Sequence, residues 1–186
     1  MIELKESISV PAPPDEVWPL ISDPAVVAAC IPGAELTELT PEGAHRGKVT
    51  FKFGPTVAVF RGEAKLTYDH PVKRCLIEAR GIDQRGASRA RARFDVTAIH
   101  GAAGAETTDV TLAGGFEVAG PLEMFASAGG VHVAKALLGE FATNIGRVIE
   151  QRRAGVEGVP QQAEAASGAK ILGRALIDGA KDLLKK

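Results

Sequence analysis

The sequence predicts an α+β domain in which a curved antiparallel sheet grips one long helix. It does so through an alternating segment at the N-terminus, further alternating segments between turns over residues 49–118, and a long helical repeat after residue 121. Alternation with a period of two is typical of strands that bury one face, whereas apolar residues every three or four positions indicate a helix. The chain has 186 residues, which is enough for one such domain with a substantial core.

The elements are expected in a simple order along the chain. A strand over residues 2–10 has apolar residues at its even positions and ends in a proline-rich turn. Two short helices follow, one over residues 16–22 with Asp15 as its N-cap and one that begins at Asp23. Six strands then lead to a long helix over residues 122–153. This domain is predicted to end at residue 153.

The face that the central strands are predicted to bury carries many small side chains. Alanine occupies many of its positions, and Gly129 and Gly130 would thin the helix that covers it. Small inward residues leave space, so we expect an apolar cavity between sheet and helix. The residues predicted to line this cavity are Trp18, Phe51, Phe53, Phe60, Leu66, Tyr68, Ile77, Phe94, Val96, Leu112, Phe116, Met124, Phe125, His132, Leu137 and Phe141.

Catalytic and metal-binding motifs are not apparent in the sequence. The four histidines are scattered, the two cysteines lie far apart, and no Gly-x-Ser-x-Gly motif occurs. Near the pocket, the polar residues His132, Glu123 and Tyr68 are either rim or core residues or anchors for a ligand's polar end. We therefore expect a binding domain that is not an enzyme, with no metal site and no covalent cofactor. The alternative is a cyclase- or hydrolase-like enzyme using His132 or Glu123.

A stripe of arginines, Arg89, Arg91 and Arg93, lies on one face of one predicted strand. The net charge of -1 gives no overall attraction to nucleic acid, and aromatic residues for base stacking are not interleaved with the arginines. No nucleic-acid partner is therefore expected. Two interpretations of the stripe stay open: a solvated face with cross-strand partners such as Asp109 or Glu117, or a dock for an acidic partner or lipid phosphates.

The C-terminal part is predicted to form a linker and an amphipathic helix. Residues 154–168 are small and polar, which is typical of a flexible linker. In residues 169–186 the apolar residues form one arc opposite lysine and arginine, as in helices that lie on a membrane surface. Docking on a partner protein and packing on its own domain are the alternatives. The predicted membrane contacts are Ile171, Leu172, Arg174, Leu176, Lys181, Leu183, Leu184 and Lys185.

Several short motifs within residues 1–151 resemble those of a known family. They are Val17-Trp18, Asp23-Pro24, Cys30-Ile31-Pro32-Gly33, Gly54-Pro55, Phe60-Arg61-Gly62 and Phe141-Ala142. In these the sequence is similar to the family of the carbon monoxide dehydrogenase G subunit, from the superfamily of START domains, polyketide cyclases and Bet v 1 allergens. The resemblance implies a helix-grip fold with an apolar cavity. It also implies a partner, a molybdenum hydroxylase complex of the carbon monoxide dehydrogenase type, which the protein helps to associate with the membrane.

This resemblance suggests which hydrophobic small molecule the cavity would hold. Such a hydroxylase must pass electrons to the respiratory chain, so the expected ligand is a quinone, menaquinone or ubiquinone. The expected location is the cytoplasm, because the sequence shows no signal peptide and no run of about 20 apolar residues. The C-terminal helix and the resemblance add the inner face of the cytoplasmic membrane to this expectation. A recruitment or assembly module without a carrier role is the alternative.

Overall fold

The computed structural model describes residues 1–53, 56–102, 104–161 and 163. Its elements confirm the predicted order of one strand, two short helices, six strands and a long helix. They are β1 (Ile2–Val10), α1 (Pro14–Ile21), α2 (Pro24–Cys30), β2 (Ala34–Leu39), β3 (Ala44–Phe53), β4 (Thr56–Asp69), β5 (Arg74–Asp83), β6 (Arg89–Gly101), β7 (Gly104–Ala119) and α3 (Glu123–Arg153).

The strands form a single antiparallel sheet in the order β1-β7-β6-β5-β4-β3-β2. The two short helices therefore connect the opposite edge strands, and α3 returns across the concave face. The helix predicted to begin at Asp23 is α2, and Asp23 is its N-cap, because its Oδ1 accepts hydrogen bonds from the N–H groups of Ala25 and Val26 at 2.8 and 3.4 Å. The cap predicted for α1 is wrong: α1 begins at Pro14, and Asp15 lies in its first turn.

The main core lies at one end of the sheet, where α1, α2 and the C-terminal half of α3 meet the strands. Its members are mainly aliphatic, and Ile145 is fully buried at its centre. Trp18 packs in this core and donates from Nε1 to Nδ1 of His70 at 3.1 Å. The rings of Tyr68 and His70 stack with centroids 5.5 Å apart, and burial raises the pKa of the Tyr68 hydroxyl well above its usual range. This end of the sheet is therefore filled by protein.

Both thiols are buried, and burial raises the pKa of Cys30 to about 11. At pH 8 about 0.1% of such a thiol is thiolate, so it reacts slowly with disulfide reagents. We expect Cys30 to react with 5,5′-dithiobis(2-nitrobenzoate) at least about 100-fold more slowly than glutathione until the protein is unfolded. A Cys75→Ala variant isolates the Cys30 thiol for this measurement. Reaction of the folded variant at the rate of glutathione would contradict the buried position.

The turn between β5 and β6 fixes the start of α3. Ser88 is fully buried, and its Oγ accepts a hydrogen bond from the N–H of Leu122 at 3.1 Å. The carboxylate of Asp83 accepts hydrogen bonds from the N–H groups of Ala87 and Ser88 at 3.3 and 3.0 Å. Burial alone would raise the pKa of Asp83, but the backbone donors outweigh it and lower the pKa below its usual value. The turn thereby holds the first residues of α3 over the sheet.

Beyond α3 the chain returns to the turn between α2 and β2. The N–H of Ala163 donates to the carbonyl of Ala29 at 2.9 Å, and the N–H of Gly33 donates to the carbonyl of Ala163 at 3.3 Å. The predicted linker over residues 154–168 therefore contacts the domain at Ala163. The predicted amphipathic helix over residues 169–186 lies outside the described residues, so the division into domain, linker and tail stays a prediction. Within the described ranges, no helix is long and apolar enough to cross a membrane.

Candidate ligand cavity

A cavity of about 510 Å³ lies between the concave face of the sheet and the N-terminal half of α3. This volume falls in the range of about 300–1,000 Å³ that is typical of small-molecule sites. Strand register decides which side chains face the cavity, because successive side chains of a strand alternate between the two faces. By this register, charged residues beside the cavity such as Lys48, Arg61 and Arg80 have their side chains on the convex face.

A cross-strand row of alanines, the alanine row, forms one part of the cavity floor. Its members lie side by side on β4, β5 and β6: Ala64, Ala79 and Ala92. His45 continues this row on β3, opposite Ala64, and Phe116 continues it on β7, opposite Ala92. Among the described lining residues, His45 is the one whose polar side chain faces the concave side. The alanine row leaves space above it, and His45 places a hydrogen-bonding group at one end of that space.

A second row, the glycine row, lies beside the alanine row on β3, β4 and β5. It consists of Gly47, Gly62 and Gly81. A Cβ on Gly62 would lie 2.0 Å from the carbonyl oxygen of Arg80, and a Cβ on Gly47 would lie 2.3 Å from that of Glu35. Neither position accepts a side chain, because the neighbouring backbones approach too closely. The backbones of neighbouring strands therefore approach one another closely along this row.

Aromatic and aliphatic side chains form the remaining walls. Phe51 and Phe60 meet edge to face, with ring centroids 6.2 Å apart. On α3, Gly130 lies against Phe116, since a Cβ on Gly130 would be 2.9 Å from the Cζ of that ring. Gly129 has open space around its Cβ position and does not line the cavity, so the predicted thinning of the helix applies to Gly130.

The cavity opens to solvent near β2 and the start of α3. Two of its apolar lining residues, Leu36 and Phe125, remain 41% and 46% exposed. Val27 of α2 and Ile31, which follows that helix, line the cavity as well. A ligand longer than the cavity could therefore extend outward past apolar side chains.

Half of the predicted lining residues lie around the cavity: Phe51, Phe60, Leu66, Ile77, Phe94, Phe116, Phe125 and Leu137. Trp18 and Phe141 belong to the core instead, where Tyr68 and Val96 pack against it. These four side chains do point inward, as predicted. The end of the sheet where they lie is filled by α1 and α2, however, so the cavity does not extend to them. Contact of any of these residues with a ligand stays a prediction.

The remaining predicted residues also lie away from the lining. Leu112 is half-buried opposite Glu6 of β1, outside the cavity, while Met124 is 80% exposed and His132 is exposed on α3. Glu123 is likewise exposed, and the side chain of Phe53 lies outside the described part of the chain. Sequence reasoning did not identify His45 as a cavity residue. Its position opposite Ala64 becomes apparent only when the pairing of β3 with β4 is known.

An antiparallel sheet closed by one long helix over an apolar cavity defines a helix-grip protein. The chain belongs to the polyketide cyclase / dehydrase and lipid transport family, whose model matches residues 1–150. This places it in the broader superfamily that the sequence motifs indicated. A search of curated proteins finds no match.

Solved structures show the same fold at low sequence identity. A conserved protein from Geobacillus kaustophilus is 22% identical with a TM-score of 0.66, covering 79% of this chain and 94% of its own. The Zhui aromatase/cyclase from Streptomyces sp. R1128 is 15% identical with a TM-score of 0.57, covering 84% and 98%. Norcoclaurine synthase from Thalictrum flavum is 15% identical with a TM-score of 0.52, covering 80% and 86%.

These structures correct one prediction. We expected that this chain is not an enzyme. That inference is wrong, because an aromatase/cyclase and norcoclaurine synthase share the fold. Helix-grip proteins therefore include enzymes, and the missing metal, serine and cysteine motifs gave no ground for excluding catalysis.

Proposed function

We propose that this protein binds a respiratory quinone, such as menaquinone or ubiquinone, in the cavity between the sheet and α3. The observation that carries the proposal is the cavity itself, about 510 Å³ with apolar walls and His45 at one end of the alanine row. A flat ring system would lie against the small side chains of this row. His45 would donate a hydrogen bond to a ring carbonyl, and the isoprenoid chain would leave between Leu36 and Phe125.

The role that we propose for this binding is to link a molybdenum hydroxylase, of the carbon monoxide dehydrogenase type, to the cytoplasmic membrane. Support comes from the short sequence motifs that resemble the carbon monoxide dehydrogenase family and from the amphipathic pattern of residues 169–186. Ala163 lies at the turn between α2 and β2, beside the cavity residue Ile31. The last described residue thus lies close to the cavity lining, which is compatible with our proposal that a lipid-soluble ligand enters from a membrane.

A second candidate function is an enzyme that acts on a cyclic or ring-forming substrate in the same cavity. The observation that favours it is His45, an imidazole that faces the enclosed apolar space and could transfer a proton. It replaces His132 and Glu123 as the candidate acid or base, because both of those residues are exposed. Both candidate functions use the same cavity.

Native mass spectrometry of the full chain, expressed in a quinone-producing host and purified with its membranes, tests the proposal. We expect a bound quinone mass, and we expect a variant lacking residues 164–186 to keep the ligand while losing membrane association. A chain that carries no lipid-soluble mass would contradict quinone binding. Menadione, a quinone without the isoprenoid chain, tests the ring site alone: we expect the full chain to bind it and to release it unchanged, and weaker binding by a His45→Ala variant would support the hydrogen bond to the ring carbonyl.

A further inference from the structure

The glycine row has a consequence on the convex face of the sheet. Side chains on either side of each inward-facing glycine point outward, to the convex face. A groove of about 710 Å³ lies there. The residues flanking the glycine row line it, with Arg46 and Lys48 beside Gly47, Arg61 and Glu63 beside Gly62, and Arg80 and Ile82 beside Gly81. The glycine row thus has the cavity on one face of the sheet and a groove on the other.

The lining of this groove is strongly basic. With Arg89 and Arg91 from β6, the groove contains six basic side chains. It contains two acidic ones, Glu35 and Glu63. The excess of four positive charges is local, because the whole chain carries a net charge of -1. Such a concentration of one sign within a concave surface raises the local potential and attracts anions.

Ion pairs account for three of the six basic residues. Arg80 and Arg46 lie 2.5 and 3.7 Å from the carboxylate of Glu63, and Lys48 lies 3.0 Å from that of Glu35. Within the described part of the chain, the other three basic residues have no ion pair: Arg61, Arg89 and Arg91.

The cross-strand partners expected from the sequence do not neutralise this groove. Glu117 lies opposite Arg91 in register but forms no ion pair with it, and the carboxylate of Asp109 accepts the N–H of Ala102 at 3.1 Å. Arg93, the third member of the predicted arginine stripe, lies outside the groove and 4.0 Å from Glu78. The structure therefore replaces the stripe with a different set of arginines.

An apolar residue lies between two of the unpaired arginines. Ile82 is opposite Arg61 on β4 and opposite Arg89 on β6, and it is 48% exposed. Neighbouring strands are about 4.8 Å apart, so Arg61 and Arg89 arise about 10 Å from each other across Ile82. The surface therefore carries a line of three side chains across the strands, in which an apolar side chain lies between two positively charged ones.

We propose that this groove, centred on Arg61, Arg89 and Arg91, binds an acidic segment of a partner protein. Acidic side chains on both sides of an apolar residue would match the line from Arg61 through Ile82 to Arg89. Guanidinium groups bind carboxylates through two parallel hydrogen bonds, which suits a peptide of defined register. A flat anionic membrane matches less well, because these basic residues line a concave surface, which an extended peptide can enter more readily than the headgroups of a flat bilayer.

Fluorescence anisotropy with a fluorescein-labelled Asp-Asp-Leu-Asp-Asp peptide at low salt tests this proposal on the full chain. We expect R61Q/R89Q/R91Q to weaken peptide binding about tenfold, since exposed charge pairs contribute modestly and three are lost. A matched control, K5Q/K65Q/R93Q, removes the same charge from the convex face outside the groove and is expected to change affinity less than about twofold. Unfolding midpoints confirm that both variants fold.

Three results would overturn the proposal. One is the absence of peptide binding by the original protein, and another is equal weakening by the two triple variants, which would indicate net charge alone. The third comes from sedimentation with phosphatidylcholine vesicles, with and without phosphatidylserine. Binding to phosphatidylserine vesicles that is lost in R61Q/R89Q/R91Q, together with weak peptide binding, would assign the groove to lipid headgroups.

Discussion

Gly62→Ala is expected to destabilise the protein by about 3 kcal/mol or more, although it adds one methyl group. The new Cβ would lie 2.0 Å from the carbonyl oxygen of Arg80 and 2.7 Å from the Cα of Gly81. Both contacts are with backbone, so no side-chain rotation relieves them, and β4 and β5 must separate. Urea unfolding followed by circular dichroism measures the change in free energy of unfolding.

Gly139→Ala is the matched control for this substitution. Nothing lies within 4 Å of the Cβ position of Gly139, which is in the middle of α3. Alanine there should stabilise the protein by about 0.5–1 kcal/mol, because glycine costs conformational entropy in a helix. Equal stabilities for Gly62→Ala and the original protein would contradict the close approach of β4 and β5 at this position.

Ala79→Phe is expected to lower the affinity for menadione at least about tenfold, because the new ring occupies the space above the alanine row. Ala79 lies in the middle of this row, between Ala64 and Ala92, and lines the cavity. The ring would enter empty volume, so the free energy of unfolding should change by less than about 1 kcal/mol. Isothermal titration calorimetry gives the affinity.

The control for this prediction is Ala113→Phe, the same substitution on the other face of the sheet. Ala113 pairs in register with Lys5 and Asp95, whose strand positions put all three on the convex face. Menadione affinity should be unchanged in this variant. If Ala79→Phe binds menadione as well as the control does, the ligand lies outside the cavity.

Alternation along the strands predicted the architecture and the cavity face well. Phe60, Leu66 and Ile77 line the cavity because they occupy the inward positions that their strands indicated. The same pattern could not show which end of the sheet stays open. Tyr68 and Val96 face the same side, but their end is occupied by the core around Trp18, which depends on how α1 and α2 pack.

Two further differences have local causes. The pairing of β2 with β3 shifts register between Leu36 and Glu38, so alternation along this short edge strand is broken and its role at the cavity opening was not predicted. In the first half of α3, small residues such as Ala126 and Gly130 face the cavity while Met124 is exposed. The helix phase therefore could not be taken from the large apolar residues, since Met124 is exposed while its smaller neighbours face the cavity.

The arginine positions show a similar limit. Sequence placed Arg89, Arg91 and Arg93 on one strand face, and this alternation is correct. Which arginines share a groove depends on the pairing of four strands. Arg61 joins the groove from β4, whereas Arg93 approaches Glu78. Periodicity along one strand does not show how that strand pairs with its neighbours. The cross-strand register could therefore not be predicted from it.

The central claim is that the cavity between the sheet and α3 accepts a hydrophobic ligand. Methyl-resolved NMR of alanine-labelled protein during titration with menadione tests it most directly. We predict saturable chemical-shift changes at Ala64, Ala79 and Ala92, with little change at Ala98, which is buried in the core. Saturable changes at Ala98 or at surface methyl groups such as that of Ala113, with the alanine row unaffected, would contradict the claim.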